Sequence, residues 1–276
     1  MKIFGFNVKK EKRFVHFTCN IILSCLVLTI VFLSFFSPFE SETYVVSSPA
    51  YYYGEKDSNK VSLMINVYWG TEYLDSMLET FEKYDVKTTF FIGGYWAGKN
   101  NEMLKKISDK GHEIANHGYF HKDHKKLNEE QNRNEIVMTQ QLIESIIGKR
   151  TNLFAPPSGS FDNLTLKVAE NLGYKTIMWS LDTIDWRDKD TKLIFKRATE
   201  KTKSGDLILM HPTKNTAEAL DDILKTLKEK NLCVTTVSNV CGFWQRGSKT
   251  TKFCFPTTNL KNCNIFVFKI AFSFLP

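Results

Sequence analysis

Between Val61 and Leu232 the sequence has no cysteine, so a domain folded from that stretch cannot depend on disulfides. No C-x-x-C spacing occurs anywhere, which argues against a structural zinc site of thiolates. There is no internal repeat. From Phe14 to Phe39 there is no Asp, Glu, Lys or Arg, and after Glu229 there is no acidic residue at all. These gaps concentrate the formal charge of +7 at the two ends. The stretch 14–229 is mildly acidic, the opposite of a nucleic-acid-binding stripe, and no nucleic-acid partner is expected.

What remains is globular in kind. The 276 residues are 42% hydrophobic and 24% charged, enough for one domain with a sizeable core. That balance excludes a disordered chain and a collagen. The uncharged N-terminal run is about long enough, at a 1.5 Å rise per residue, to cross a hydrocarbon core of roughly 30 Å. A cleaved leader is the alternative, but Phe35, Phe36 and Phe39 occupy the positions where small residues should precede cleavage. Basic residues before the run and Glu40 and Glu42 after it predict a cytoplasmic N-terminus, a single membrane pass and an extracellular domain.

The expected organisation is a basic stub and transmembrane anchor over 1–39, a polar tether over 40–60, a domain over 61–238 and an atypical tail over 239–276. The tail is basic, rich in Phe and Thr, and carries Cys241, Cys254 and Cys263 close after Cys233. Within 61–238, short apolar runs alternate with amphipathic segments. Val61–Val67, Thr88–Ile92, His112–Ala115, Asn152–Ala155, Thr176–Trp179, Leu207–Met210 and Cys233–Val237 read as strands. Glu72–Tyr84, Glu102–Ser108, Glu129–Ile147, Leu164–Leu172, Thr191–Glu200 and Thr216–Lys230 read as helices. Strands separated by helices predict a parallel α/β architecture. The pattern alone does not separate an open sheet from a barrel.

Chemistry-bearing residues collect where strands end. His112, His117, His121, Asp123 and His124 lie within thirteen residues, and imidazoles four apart can share a divalent cation. Asp182, Asp185 and Trp186 follow one strand, and His211-Pro212 ends another. In α/β folds the carboxyl ends of strands are where sites assemble.

Taken in order, these segments resemble the NodB-homology polysaccharide deacetylases, carbohydrate esterase family four, over about residues 60–238. The runs Val86–Ile92 and Gly111–His117 carry much of the likeness. The resemblance implies a distorted (β/α) barrel behind one transmembrane helix. It implies a metal-dependent hydrolase, zinc-loaded with cobalt as a substitute, that removes N-acetyl groups from peptidoglycan or chitin-like cell-wall polysaccharide. It makes His117 and His121 metal ligands and His211, steadied by Asp185, the general acid. Trp186, Trp69, Pro157 and Ser158 would contact substrate.

The same resemblance exposes losses. Asn66 stands where the family has its base Asp, Val67 where it has a metal-binding Asp, and Ala155 where it has the Arg that steadies the base. An amide cannot accept a proton at ordinary pH. Glu72 is the candidate replacement base and Asp123 the candidate third ligand. Each has a plainer role, at a helix start and in a loop. The variant first and third motifs are similar to a membrane-anchored, sporulation-associated subgroup. A catalytically impaired glycan-binding protein of the same fold is the competing expectation.

Overall fold

The computed structural model describes residues 8–36 and 49–243, with side chains from 15–32 and 49–243. They fall into two units, divided near residue 46. The first is the helix α1 (Val8–Phe36), whose Val15–Phe32 window has a mean hydropathy of 2.2 and is long and apolar enough to cross a membrane. The expected tail beyond residue 243 lies outside the described residues, as do 1–7 and 37–48.

The second unit is built around β1 (Lys60–Val67), every residue of which after Lys60 is buried. It pairs in parallel with β2 (Thr89–Ile92), β7 (Leu207–Met210) and β8 (Cys233–Val234). The sheet continues through β3 (Glu113–Asn116), β4 (Leu153–Phe154) and β5 (Lys175–Thr176) on one side and β6 (Leu181–Asp182) on the other. All named pairs are parallel, and β5 and β6 are not paired with each other among the described residues. The sheet is thus a curled half-barrel, the distorted barrel expected.

Strand alternation gives β1 two faces. Val61, Leu63, Ile65 and Val67 join the main core cluster, packed by α2 (Thr71–Lys83) and α8 (Lys214–Glu229). On α2, Leu74, Met77, Leu78 and Phe81 form the buried stripe at helical spacing. Met64 faces the other way, into the barrel interior with Phe91, Ala115, Ala155, Ile177 and Leu207. Burying each large side chain contributes about 1.5–3 kcal/mol. The remaining helices are α3 (Gly94–Lys99), α4 (Asn101–Asp109), α5 (Glu129–Ile147), α6 (Asn163–Asn171), α7 (Thr191–Thr199) and α9 (Val237–Val240).

Two expected boundaries move. Residues 51–55, read as tether, are knitted into the domain: Tyr51 bridges Ile177, Tyr53 bridges Asp206, and the Glu55 amide donates to Val240 O at 2.8 Å. At the other end Val240 is fully buried, so the domain runs past 238. Polar composition suggested a linker, but backbone pairing decides membership.

Candidate functional site

Register brings the site together. Ile65 lies level with Met210 and Asn66 with Phe91, so Asn66 stands beside the position of His211 at the carboxyl edge of the sheet. β3 ends at Asn116, next to His117. The Asn116 side chain ties this edge down, its Nδ2 donating to Ile136 O at 2.8 Å and its Oδ1 accepting from the Gly118 amide at 2.9 Å.

His211 and Asp185 form the best-defined pair. Asp185 Oδ1 lies 2.8 Å from His211 Nδ1, and its Oδ2 accepts from the His211 amide and from Thr216 Oγ1, each at 2.6 Å. Asp185 is 2% exposed. The carboxylate can only accept, so Nδ1 carries the proton and Nε2 is left for chemistry. The loop that delivers Asp185 holds Ile184 at φ +54°, a β-branched residue in the left-handed region. Such strain costs on the order of 1–3 kcal/mol and persists only when the surroundings impose it.

His117 is fully buried, its Nδ1 2.7 Å from Ala155 O. That carbonyl also fixes a tautomer with Nε2 unprotonated, and Nε2 has no hydrogen-bond partner among the described residues. His121 follows on a left-handed residue (φ +56°), with its ring centroid 5.1 Å from that of His117. Burial, then the neighbouring His121, holds the His117 pKa well below 6.5; burial, then His211, pushes His121 down to about 4. Both imidazoles are neutral at pH 7.

Other candidates sit elsewhere. Asp123 accepts from Ser160 Oγ and pairs with Lys126 at 2.9 Å, which together pull its pKa down. Among the described residues no group of three His, Cys, Asp or Glu could hold a metal. Asp123, the candidate third ligand, has its oxygens engaged with Ser160 and Lys126. Glu72 is exposed in the first turn of α2, where it favours the helix N-terminus, and no hydrogen bond or ion pair links it to the histidines among the described residues. Pro157 is buried in a short turn, Ser158 is exposed at φ +55°, and Trp186 is 55% exposed. Trp69 lies parallel to His211, with centroids 5.9 Å apart.

His112 and His124 are not part of the pair. His112 packs edge-on against Phe81 and Phe90 in the core, and His124 Nδ1 contacts Asn132 Oδ1 at 2.7 Å. Sequence reasoning missed Tyr68, whose ring stacks on His121 at 3.7 Å and 24°. It also missed Thr216, the third donor to Asp185, and Glu135, which accepts from the Tyr119 and Phe120 amides and props the His117–His121 turn. Thr216 was visible only as a helix-start residue, and Glu135 only as one acid on a long helix.

The donor set decides the metal question. Catalytic zinc takes three protein ligands. Here the third would have to come from Val67, which faces the helix-side core and is fully buried. Two converging imidazoles do not complete such a set, so a resident metal does not fit these residues.

Residues 53–177 match the family described as polysaccharide deacetylase. The uncharacterized protein YlxY of Bacillus subtilis is 40% identical over 189 residues, 68% of this chain; the chain spans 59% of that protein's length. A peptidoglycan-N-acetylglucosamine deacetylase of Bacillus cereus is 31% identical over 174 residues, 61% of this chain and 81% of that one. Among solved structures, BA3943 of Bacillus anthracis, described as a family-four carbohydrate esterase pseudoenzyme, matches with a TM-score of 0.69 at 38% identity. That match covers 71% of this chain and 70% of the other, and a mutant of BA3943 is described as having restored enzymatic activity. With half-barrel, ordered motifs and relatives in agreement, the chain belongs to the polysaccharide deacetylase family.

Proposed function

We propose that this domain acts on N-acetylated cell-wall glycan outside the membrane, held there by the N-terminal helix with its amino terminus in the cytoplasm. The reaction its retained residues serve is removal of N-acetyl groups by water. The observation that carries the proposal is the His211–Asp185–Thr216 arrangement, with one nitrogen of His211 held by a buried carboxylate. As the C–N bond breaks, the nitrogen takes a proton from His211 Nε2, which His211 has taken up from solvent, and the attacking water releases its own proton to solvent. Asp185 stabilises the imidazolium form that precedes this transfer. Trp69 and Trp186 offer faces on which sugar rings can stack, and Pro157 and Ser158 lie in a short turn of their own.

The water-activating half is missing. Asn66 cannot take a proton, and a positioned base is worth roughly 10²–10⁴-fold in rate. No step is assigned to zinc or cobalt, because His117 and His121 alone do not complete a metal site. A second reading, glycan binding without turnover, is favoured by the neutral amide of Asn66 at the carboxyl edge of the sheet and by the likeness to BA3943.

The test is acetate release by the full chain from N-acetylated peptidoglycan and chitin oligomers, with and without Zn²⁺ or Co²⁺. Slow release that disappears in His211→Ala supports the enzyme reading. Binding without release supports the second reading. Neither binding nor release would overturn both.

A further inference from the structure

Parallel strands give the half-barrel two unlike edges. Each segment leading from a helix into a strand surfaces at the amino edge, and each segment leaving a strand surfaces at the carboxyl edge. The site described above takes up the carboxyl edge. At the amino edge stand Lys87 before β2, Lys110 before β3, Arg150 before β4, Lys175 at the start of β5 and Lys203 before β7. Lys110 pairs with Glu82 at 2.6 Å, whereas Arg150 and Lys203 are exposed. The acids of these loops are fewer: Asp85, Glu200 and Asp206. Asp206 is 2% exposed and accepts from Ser180 Oγ and the Lys203 amide, so it adds little to the surface.

Aromatic rings share this edge. The segment 51–55 crosses it: Tyr53 bridges Asp206, and the Gly54 and Glu55 amides donate to Gly205 O and Val240 O, each at 2.8 Å. Tyr52 and Tyr53 are 42% and 48% exposed. Lys56 Nζ lies 5.9 Å from the Tyr53 ring centroid. Lys175 Nζ lies 5.0 Å from that of Phe243, whose ring meets Tyr51 edge-on. Phenol rings interleaved with long cations suit a headgroup layer, where the apolar stems and ring bodies bury and the polar tips stay wet. Each Lys or Arg near an anionic membrane surface contributes about 1 kcal/mol.

The chain itself brings a lipid surface within reach. Residues 37–48 join the apolar helix α1 to the segment that crosses this edge, and twelve residues span at most about 40 Å when extended. A tethered second contact works at an effective concentration in the millimolar range, so individually weak contacts suffice. The described residues end at Phe243 on the same edge, and 244–276 contains no acidic residue. We propose that the amino edge, with Tyr53, Arg150 and Lys203 on it, docks on an anionic phospholipid surface. The carboxyl edge, with His117 and His211, then faces away from the bilayer. The proposal rests on the anchored reading above and adds a second membrane contact and an orientation.

The experiment uses the full chain in lipid nanodiscs, with p-benzoylphenylalanine in place of Tyr53 or, as the control, of Tyr95. Tyr95 is 50% exposed on α3, just after the carboxyl end of β2. Irradiation followed by mass spectrometry counts lipid adducts. The expected result in phosphatidylglycerol discs is at least fivefold more adduct at 53 than at 95. That yield should fall at least threefold in phosphatidylcholine discs. It should fall as much in about 1 M salt, where the screening length is about 3 Å. Arg150→Glu combined with Lys203→Glu, both at exposed positions, should lower it at least threefold as well. Equal yields at 53 and 95, or a yield at 53 indifferent to lipid charge and salt, would overturn the proposal. So would soluble polyglycerol phosphate that takes over the cross-link at 53, which would assign the face to a wall polymer. Alkaline carbonate extraction from vesicles reads the anchor separately. A chain that resists carbonate but does not label at 53 overturns the docking face alone. One that is stripped yet labels at 53 overturns the anchor alone.

Discussion

The Asp185 carboxylate holds His211 at two points, accepting from its backbone amide at 2.6 Å and facing its Nδ1 at 2.8 Å. With Thr216 as third donor, every hydrogen points at the carboxylate and none away. Asp185→Asn keeps the shape but turns one acceptor into a donor, so at least one of three donors loses its partner. A buried unsatisfied donor costs about 1–3 kcal/mol. The expected outcome is a stability loss of about 2 kcal/mol in chemical denaturation. ¹⁵N shifts should also show a changed His211 tautomer.

Buried histidines make stability depend on pH. His112 is 5% exposed, and burial first, then Lys87 and Lys110, pushes its pKa down to about 4 from 6.5. The unfolded chain takes up a proton at His112 once pH drops below about 6.5, while the folded chain does not. Stability is therefore complete above that pH, falls as pH moves from 6.5 toward 4, and levels off below. Each pH unit in that window costs about 1.4 kcal/mol per histidine. Denaturation midpoints should drop between pH 7 and pH 5, and His112→Gln should flatten that slope at some cost in stability at pH 7.

Two repairs of the lost acids should behave differently. Asn66 lies at the carboxyl edge of the sheet beside the position of His211, whereas Val67 is packed in the helix-side core. Asn66→Asp should raise acetate release about 10²-fold or more, the worth of a positioned base, at a cost in stability because it also buries a carboxylate that Ala155 cannot pair. Val67→Asp should lower stability by about 3 kcal/mol or more, since it buries an unpaired carboxylate. It should yield no tightly bound zinc. Thermal unfolding, acetate assay and zinc titration on the two variants check both statements.

Asp123 and Glu72 provide the opposite test. Asp123 is tied to Lys126 and Ser160, and Glu72 is exposed on a helix start. Replacing either by Ala should leave acetate release and glycan affinity unchanged. Stability should change little, as for exposed ion pairs and helix-end charges. A tenfold drop in release for Glu72→Ala would restore it as the base.

Much of this architecture was readable from local rules. Helix α5 begins and ends where expected because Asn128 and Gln131 form a capping box and Gly148 terminates it in a left-handed turn. Strand β7 is a plain apolar run between polar ends. By contrast α3, with Gly94 and Gly98 in six residues, has poor intrinsic propensity. The Gly94 and Tyr95 amides donate to Gly118 O and Tyr119 O, and those contacts come from distant sequence. The expected strand Thr176–Trp179 stops at Thr176, and Cys233–Val237 gives way to α9. In the site, strand ends and the family resemblance pointed to His117, His121, Asp185 and His211. The stacking of Tyr68 and the diversion of Asp123 to Ser160 depend on how loops meet, which no local pattern records.

Gly118 ties the chain's local geometry to the site most tightly. It sits between His117 and His121 at φ +70°, a conformation glycine adopts without penalty. A Cβ there would lie 3.2 Å from His124 Nε2, 3.3 Å from Pro157 Cγ and 3.5 Å from Glu135 Oε2. His124 is fixed by Asn132, and Glu135 by two backbone amides, so neither neighbour can yield freely. Gly118→Ala therefore combines left-handed strain with overpacking, each worth on the order of 1–3 kcal/mol. The turn is what aims both imidazoles, so glycan affinity should fall along with stability. Thermal unfolding alongside calorimetry checks this. An unchanged melting temperature with unchanged affinity would mean that the turn is held by something other than its glycine.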